Sequence, residues 1–317
     1  MTGAEAAAST ELSIDLVKSF KEDCELRGMS PRTVERYVSS VRSLRRYLDR
    51  EALDSLSTEN NVLMGYLDHL RRERGLKQRT IENDFAAVSS FYEFLIYKGY
   101  VDRNPVVSIR KRYLRSYKDN DEGQVRKLIS VEEMATLINS IIDIRDKAVT
   151  VLLAKTGIRR NELITLDVVD VDLVEQKIVL KPTPKRTNRI VFFDDETALI
   201  LHRWLRARES RNRSGSPALF INAKGSRMMR HAVHDIVVNA AQGVGLHNPN
   251  SERMEEHFSP HCCRHWFTTH LRRAGMSREF IQELRGDVRK EAIDIYDHID
   301  KKELRESYLA HIPQLGI

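Results

Sequence analysis

Apolar residues recur at helical spacing through most of the chain. The clearest stretch follows Ser30 and Pro31, which have the order of an N-cap and a first helical residue. Its apolar positions are Val34, Tyr37, Val38, Val41, Leu44 and Leu48. Glycines, which are common just after helix ends, follow the first, third and fourth predicted helices at Gly28, Gly75 and Gly99. The pattern predicts four helices over residues 11–100 and therefore a small all-helical domain.

A second apolar block begins at Ser130, which has capping-box spacing with Glu133, and continues to Gly157. Alternating apolar and polar residues then predict three short strands, at 168–173, 177–180 and 189–193. Helical spacing returns from about residue 197 and continues to the end of the chain. We therefore predict a mainly α (α+β) protein, whose second domain is mostly helical and holds one small antiparallel sheet.

Between the two domains we expect a basic linker without periodicity. The predicted boundaries are 11–108 for the helical domain, 109–128 for the linker and 129–317 for the second domain, which includes a C-terminal helix at 301–310. Five cations fall within nine residues of the linker: Arg110, Lys111, Arg112, Arg115 and Lys118. Both a solvated linker and a segment that follows nucleic-acid phosphates are consistent with this cluster.

Composition narrows the class of protein further. The 317 residues are 41% hydrophobic and 31% charged, which excludes a collagen-like or disordered chain. No window approaches a membrane span, the first residues lack the order of a signal peptide, and three cysteines cannot form a disulfide framework. We expect a cytoplasmic protein that does not bind membranes. The net charge of +6 fits a nucleic-acid partner without requiring one.

The helix that begins at Ser259 and Pro260 carries two neighbouring stripes. The first is a core stripe made of Cys263, Trp266, Phe267, His270 and Leu271. The second is polar and made of His261, Arg264, His265 and Thr268. Backbone N–H groups and the helix dipole favour an anion at this helix start, beside the side-chain donors. The alternative is an ordinary polar face in which His265 is a hydrogen-bonded packing residue.

Three further positions carry candidate chemistry. Arg159 and Glu162 lie one helical turn apart after Gly157, so the carboxylate can hold the guanidinium. Lys185 lies in the loop that joins the last two predicted strands, and Tyr296 lies late in the chain. Each is unremarkable alone, because surface ion pairs, loop lysines and buried tyrosines are common.

In this order and spacing, the residues resemble the catalytic set of the tyrosine recombinases, the integrase family with Xer-type and phage-type members. Residues 156–163 resemble the family's Thr-Gly-x-Arg-x-x-Glu-Leu box, and residues 261–270 resemble its His-x-x-Arg-His-x-x-Ala-Thr-His box. The segment from Ser30 to Tyr37 is similar to the opening of the family's core-binding domain. The resemblance implies a SAM-like first domain and a catalytic domain with the DNA breaking-rejoining fold.

The resemblance also implies a mechanism. Tyr296 attacks a DNA phosphate and forms a covalent 3′-phosphotyrosyl link, while Arg159 and Arg264 bind the non-bridging oxygens. Lys185 protonates the departing 5′ oxygen, and His261 accepts the tyrosine proton. No cofactor or metal is implied. The expected partner is double-stranded DNA with specific recombination sites, on which four identical protomers assemble to integrate or excise a mobile element.

One position departs from the family pattern. Asp287 lies nine residues before Tyr296, where the family usually has His or Trp after a Leu-Gly pair. A carboxylate cannot donate to a phosphate oxygen unless it is protonated. It can instead orient Arg264 or His261, and His265 or a water can then take the donor role. The segment around Asp287 resembles most the integrases of archaea and their viruses or plasmids.

Several alternatives stay open on the sequence. Lys181 is the second candidate for the catalytic lysine. Asp287 motivates a DNA-binding protein of this fold without catalysis, and the histidines and cysteines near residue 260 motivate a metal-dependent nuclease, although their spacing is poor for metal binding. We expect the helix at 301–310 to dock on a neighbouring protomer, and the alternative is a helix folded onto its own domain.

Overall fold

The computed structural model describes residues 16–54, 56, 59–114, 127–183, 188–251, 253–287 and 299–317. They divide into two compact units, one on either side of the gap at 115–126. None of the helices in these ranges has both the length and the apolar character needed to cross a bilayer.

The first unit is all-helical. Its helices are α1 (residues 16–26), α2 (Pro31–Arg50), α3 (Asn60–Asp68), continued by a π-helical turn at His69–Glu73, α4 (Gln78–Tyr97) and α5 (Val106–Tyr113). The backbone N–H of Thr33 donates to the Ser30 side chain at 3.3 Å, so the predicted N-cap of α2 is confirmed. The apolar stripe of α2 is buried against the other helices, as the periodicity predicted.

Helix α5 corrects the predicted linker. Asn104 Oδ1 accepts from the backbone N–H of Val106 at 3.0 Å, and Val106 and Ile109 are buried in the core of the first unit. With only two turns, the helix has too few apolar residues for a recognisable period, which is why the sequence indicated a linker. Arg110, Lys111 and Arg112 therefore lie on a packed helix. Arg115 and Lys118 lie outside the described residues.

The second unit combines helices with one small sheet. Its helices are α6 (Val131–Asn139), α7 (Ile144–Thr156), α8 (Arg160–Thr165), α9 (Asp195–Arg211), α10 (Arg230–Gly243), α11 (Pro260–Arg273), α12 (Arg278–Arg285) and α13 (Lys301–His311). The strands are β1 (Val171–Asp172), β2 (Lys177–Val179) and β3 (Ile190–Phe192). They pair antiparallel in the order β1-β2-β3, with Ile178 opposite Val191. The predicted fold class is confirmed.

The block predicted from Ser130 to Gly157 is two helices. The capping box of Ser130 and Glu133 starts α6, as expected. A break then follows, and Asp143 caps α7 by accepting from the backbone N–H of Arg145 at 2.8 Å. Helix α7 is buried along most of its length, which is the arrangement of a central core helix without a polar face.

Helix α13 packs on its own unit. Leu304, Tyr308 and Ile312 are buried against Phe267 and Leu271 of α11. The Tyr308 hydroxyl donates to the Lys155 carbonyl at 2.9 Å. Docking on a neighbouring protomer was the expectation, and the structure shows the alternative, because the apolar face of α13 is covered by residues of the same chain.

A buried ammonium group fixes the end of the chain. Lys155 is fully buried, and its Nζ lies 2.6 Å from Asp194 Oδ2, 2.6 Å from Glu196 Oε2 and 2.7 Å from the Pro313 carbonyl. Glu196 also accepts from the backbone N–H of Leu315 at 2.9 Å. A buried charge is tolerated only when acceptors surround it, and here three acceptors match its three protons.

We predict that Lys155→Met lowers the free energy of unfolding by about 3–5 kcal/mol, because it leaves two carboxylates buried without their cation. Lys147→Met is the matched control, since Lys147 lies on the same helix and is only partly buried. Chemical denaturation of both variants measures the difference. Equal losses in the two variants would show that the ion network does not stabilise the fold.

Candidate active site

Arg159 is held at the junction between α7 and α8. Gly157 ends α7 in the left-handed conformation, with φ of 61°, and Arg159 then caps α8. The buried Glu162 accepts from the Arg159 backbone N–H at 2.7 Å and from its Nη1 at 3.1 Å. The pairing predicted from the spacing is present, and it fixes both the backbone and the side chain of Arg159.

Arg264 lies on α11 and is almost completely buried, with 6% of its side chain exposed. Its Nη1 donates to the Gly157 carbonyl at 2.6 Å and its Nη2 donates to the Arg285 carbonyl at 3.0 Å. Burial, together with the charges of Arg159 and Arg285, lowers the pKa of Arg264 to about 10. The guanidinium is therefore still protonated at neutral pH.

Asp287 joins the two arginines. Its Oδ1 lies 3.3 Å from Arg159 Nη2 and 3.3 Å from Arg264 Nη2. Its Oδ2 lies 2.9 Å from Arg285 Nε. Gly286, with φ of 61°, ends α12 and turns the chain so that Arg285 and Asp287 face the same site. Sequence reasoning missed Arg285, and the available signal was a basic residue directly before Gly286, where the family's Leu-Gly pair has its leucine.

The histidines of α11 have different surroundings. His261 is exposed in the first turn, and His265 is partly buried, with its Nδ1 3.5 Å from Thr269 Oγ1. His270 is a core residue, because its Nε2 is 3.0 Å from the Ile129 carbonyl and its ring lies 4.7 Å from that of Trp266. The predicted core stripe of α11 is confirmed.

Of the two candidate lysines, the structure describes only Lys181. Lys181 Nζ lies 2.9 Å from Asp170 and 3.1 Å from Asp167, and these hydrogen bonds raise its pKa. Lys185, between β2 and β3 in the sequence, lies outside the described residues, and so does Tyr296. The structure thus brings together Arg159, Arg264 and Asp287 of the predicted set.

Family models match both units of the chain. The phage integrase family model matches residues 121–303, and the model of the phage integrase N-terminal SAM-like domain matches residues 16–101. The chain belongs to the phage integrase family. It is a tyrosine-type site-specific recombinase, as the order of its motifs predicted. The more specific placement among archaeal integrases stays a prediction.

Individual relatives extend along most of this recombinase. Tyrosine recombinase XerC of Vibrio parahaemolyticus is 27% identical over 286 residues, which cover 89% of this chain and 87% of that protein. A lambda integrase tetramer bound to a Holliday junction is 17% identical, with a TM-score of 0.65, over 89% of this chain and 80% of that one. The Tn1549 transposon integrase in complex with transposon right end DNA is 19% identical, with a TM-score of 0.64. The match covers 92% of this chain and 97% of that one. The two structures show the shared fold.

Cys263 and His257, near the site, are occupied by burial and by a hydrogen bond. Burial raises the pKa of the Cys263 thiol well above its usual range, so the thiolate needed for metal binding is disfavoured. His257 Nε2 lies 2.7 Å from the Ser251 carbonyl. Within the ranges that the structure describes, no three His, Cys, Asp or Glu residues are grouped as metal ligands.

We predict that Gly157→Ala destabilises the recombinase by about 1–3 kcal/mol more than Gly215→Ala. Both glycines are left-handed, with φ of 61° and 65°, so the backbone strain is matched. A Cβ at residue 157 would collide with the Phe267 ring, whereas a Cβ at residue 215 meets no atom within 4 Å. Thermal and denaturant unfolding measure both costs, and equal costs would contradict the predicted collision.

Proposed function

We propose that the recombinase cuts and rejoins DNA through a covalent 3′-phosphotyrosyl intermediate on Tyr296. The observation that carries the proposal is the convergence of Arg159 and Arg264, whose Nη2 atoms both lie 3.3 Å from one carboxylate oxygen. One anionic oxygen can therefore be bound by two guanidinium groups at once. A phosphodiester presents such oxygens, and forked arginine donors suit them.

Hydrogen bonds within the protein fix the side chains of the two arginines before DNA binds. Glu162 holds Arg159, and the carbonyls of Gly157 and Arg285 hold Arg264. Donors that are fixed in advance stabilise the charge of the pentavalent transition state without a cost of reorganisation. The arginines can thus supply the neutralisation that a metal ion supplies in other phosphoryl-transfer enzymes.

The burial of Tyr308 supports Tyr296 as the nucleophile. From Ser259 to the end of the chain, Tyr296 and Tyr308 are the tyrosines present. Tyr308 is fully buried, its hydroxyl is bound to the Lys155 carbonyl, and burial raises its pKa well above the usual range. It cannot attack a phosphate on the surface, which supports Tyr296. The exposed His261, one turn before Arg264, is the proposed acceptor of the tyrosine proton.

Lys185 is the proposed acid for the 5′ leaving oxygen. Lys181, the alternative, is bound by two carboxylates that raise its pKa, which makes it a weaker proton donor. The Asp287 position does not favour a protein without catalysis, because both arginines remain in place beside it. The proposed catalytic domain is residues 129–317.

Double-stranded DNA is the proposed partner of the exposed cations. Arg110, Lys111 and Arg112 are exposed on α5, and we assign them to the DNA backbone together with Arg115, Lys118 and His265. The neighbour that forms a tetramer on a Holliday junction supports a homotetramer on two duplexes. The transposon integrase supports action on a mobile element. Because the three cysteines are free and buried, a reducing cytoplasm is the proposed location.

We predict that the protein, incubated with a nicked duplex that carries its site, forms a protein–DNA adduct that survives denaturation and persists in EDTA. Tyr296→Phe abolishes the adduct and leaves DNA binding intact, because only the nucleophilic oxygen is removed. Denaturing gel electrophoresis measures the adduct, and gel shift measures binding.

Tyr308→Phe is the matched control, since it removes the other C-terminal tyrosine hydroxyl. It should retain the adduct. Adduct formation by Tyr296→Phe would contradict the nucleophile, and cleavage lost only to the chelator would favour a metal-dependent nuclease.

A change of leaving group in the substrate distinguishes the roles of Lys185 and Lys181. Lys185→Ala should slow adduct formation by about 10²–10⁴-fold, the usual contribution of a general acid. A substrate with a bridging 5′ sulfur at the cleaved bond should restore the rate, because a thiolate leaves without protonation. Lys181→Ala should change neither rate by more than a few-fold. The reverse pattern would assign the acid to Lys181.

A further inference from the structure

We propose that, in the protein without DNA, the carboxylate of Asp287 occupies the position of the scissile phosphate, which binds by replacing it. The inference rests on the proposed function, since it concerns the same two arginines. It gives Asp287 a role as a positioning residue that competes with substrate, whereas the family position usually holds a donor to the phosphate.

The geometry is that of a bound anion. One oxygen of Asp287 lies 3.3 Å from each of Arg159 Nη2 and Arg264 Nη2, and the other lies 2.9 Å from Arg285 Nε. Carboxylate and phosphate offer oxygens to guanidinium groups in closely similar ways. The Asp287 side chain is 30% exposed, so an anion can reach the position from solvent.

Charge explains why an anion must be there. Burial and then the charges of Arg159 and Arg285 lower the pKa of Arg264, so both neighbouring guanidinium groups repel it. Asp287 and Glu162 oppose that repulsion. Removal of the carboxylate without a substitute would leave a buried cation poorly compensated.

Replacing the Asp287 carboxylate by a phosphodiester leaves the net charge of the site unchanged. Three guanidinium groups and the carboxylates of Glu162 and Asp287 leave one positive charge. A phosphodiester carries a single negative charge, so replacing Asp287 by DNA keeps that remaining charge. The transition state adds negative charge on the non-bridging oxygens, and the remaining positive charge stabilises it.

Both anions cannot stay at the arginines together, because like charges a few ångströms apart repel strongly in a partly buried site. Asp287 therefore lowers the affinity of the empty site for unspecific anions. Only a ligand with additional contacts, such as a complete recombination site, displaces it efficiently.

The experiment compares the full-length protein with Asp287→Asn by thermal unfolding in increasing inorganic sulfate, with chloride at equal ionic strength as the reference. We expect the variant to reach the same gain in Tm at about tenfold lower sulfate, the effect of losing one competing charge contact. A residue with a merely structural role would give the opposite result, because disordered arginines bind sulfate less well.

Asp235→Asn is the matched control, since Asp235 is an exposed carboxylate on α10. Its gain in Tm should require the same sulfate concentration as in the wild type. A tenfold lower requirement in Asp235→Asn would show a general charge effect and contradict the proposal. Asp287→Ser tests the same point with a smaller side chain. Failure of both Asp287 variants to fold at any sulfate concentration would also contradict it, because sulfate should take the place of the carboxylate.

The outcomes separate this inference from the proposed function. An adduct formed by the wild type, together with an unchanged sulfate dependence in Asp287→Asn, contradicts only the role of Asp287. A tenfold gain for sulfate without any adduct contradicts only the phosphotyrosyl mechanism.

Discussion

The buried guanidinium of Arg264 is the constraint on which the second unit depends. A charge with so little solvent must be surrounded by acceptors. These come from two places: the end of α7 supplies the Gly157 carbonyl, and the end of α12 supplies the Arg285 carbonyl and the Asp287 carboxylate two residues further on. Each acceptor therefore holds the end of its helix against Arg264. The left-handed glycines at 157 and 286 are the positions that allow these turns, and they place Arg159 and Arg285 beside the same charge.

Much of this arrangement could be predicted from local signals. Ser30 with Pro31, Ser130 with Glu133, and the stripe of α11 each have short-range causes, namely an N-cap, a capping box and a helical period, and each is present. The pairing of Arg159 with Glu162 also depends only on residues one turn apart. The identity of the family followed from the order of such local motifs.

The features that sequence reasoning missed depend on distant contacts. Helix α5 exists because Val106 and Ile109 fit the core of the first unit, and two buried apolar residues do not make a period. The break before α7 depends on one aspartate that caps the helix. Arg285 looks like any basic residue at a helix end, and it belongs to the site only because the turn at Gly286 brings it to Asp287. The apolar face of α13 is equally suited to a neighbour or to its own unit.

The network around Lys155 has a consequence for how the end of the chain opens. Helix α7 supplies the buried ammonium that holds the Pro313 carbonyl, and the glycine that ends it, Gly157, supplies the carbonyl that holds Arg264. Detaching the C-terminal segment would expose an ammonium and two carboxylates that are matched to one another. Such an opening resembles the unfolding of the whole core more than the fraying of a terminus. The tail and the arginines of the candidate site thus belong to one cooperative unit, and the free energy of detaching the tail approaches that of unfolding the unit.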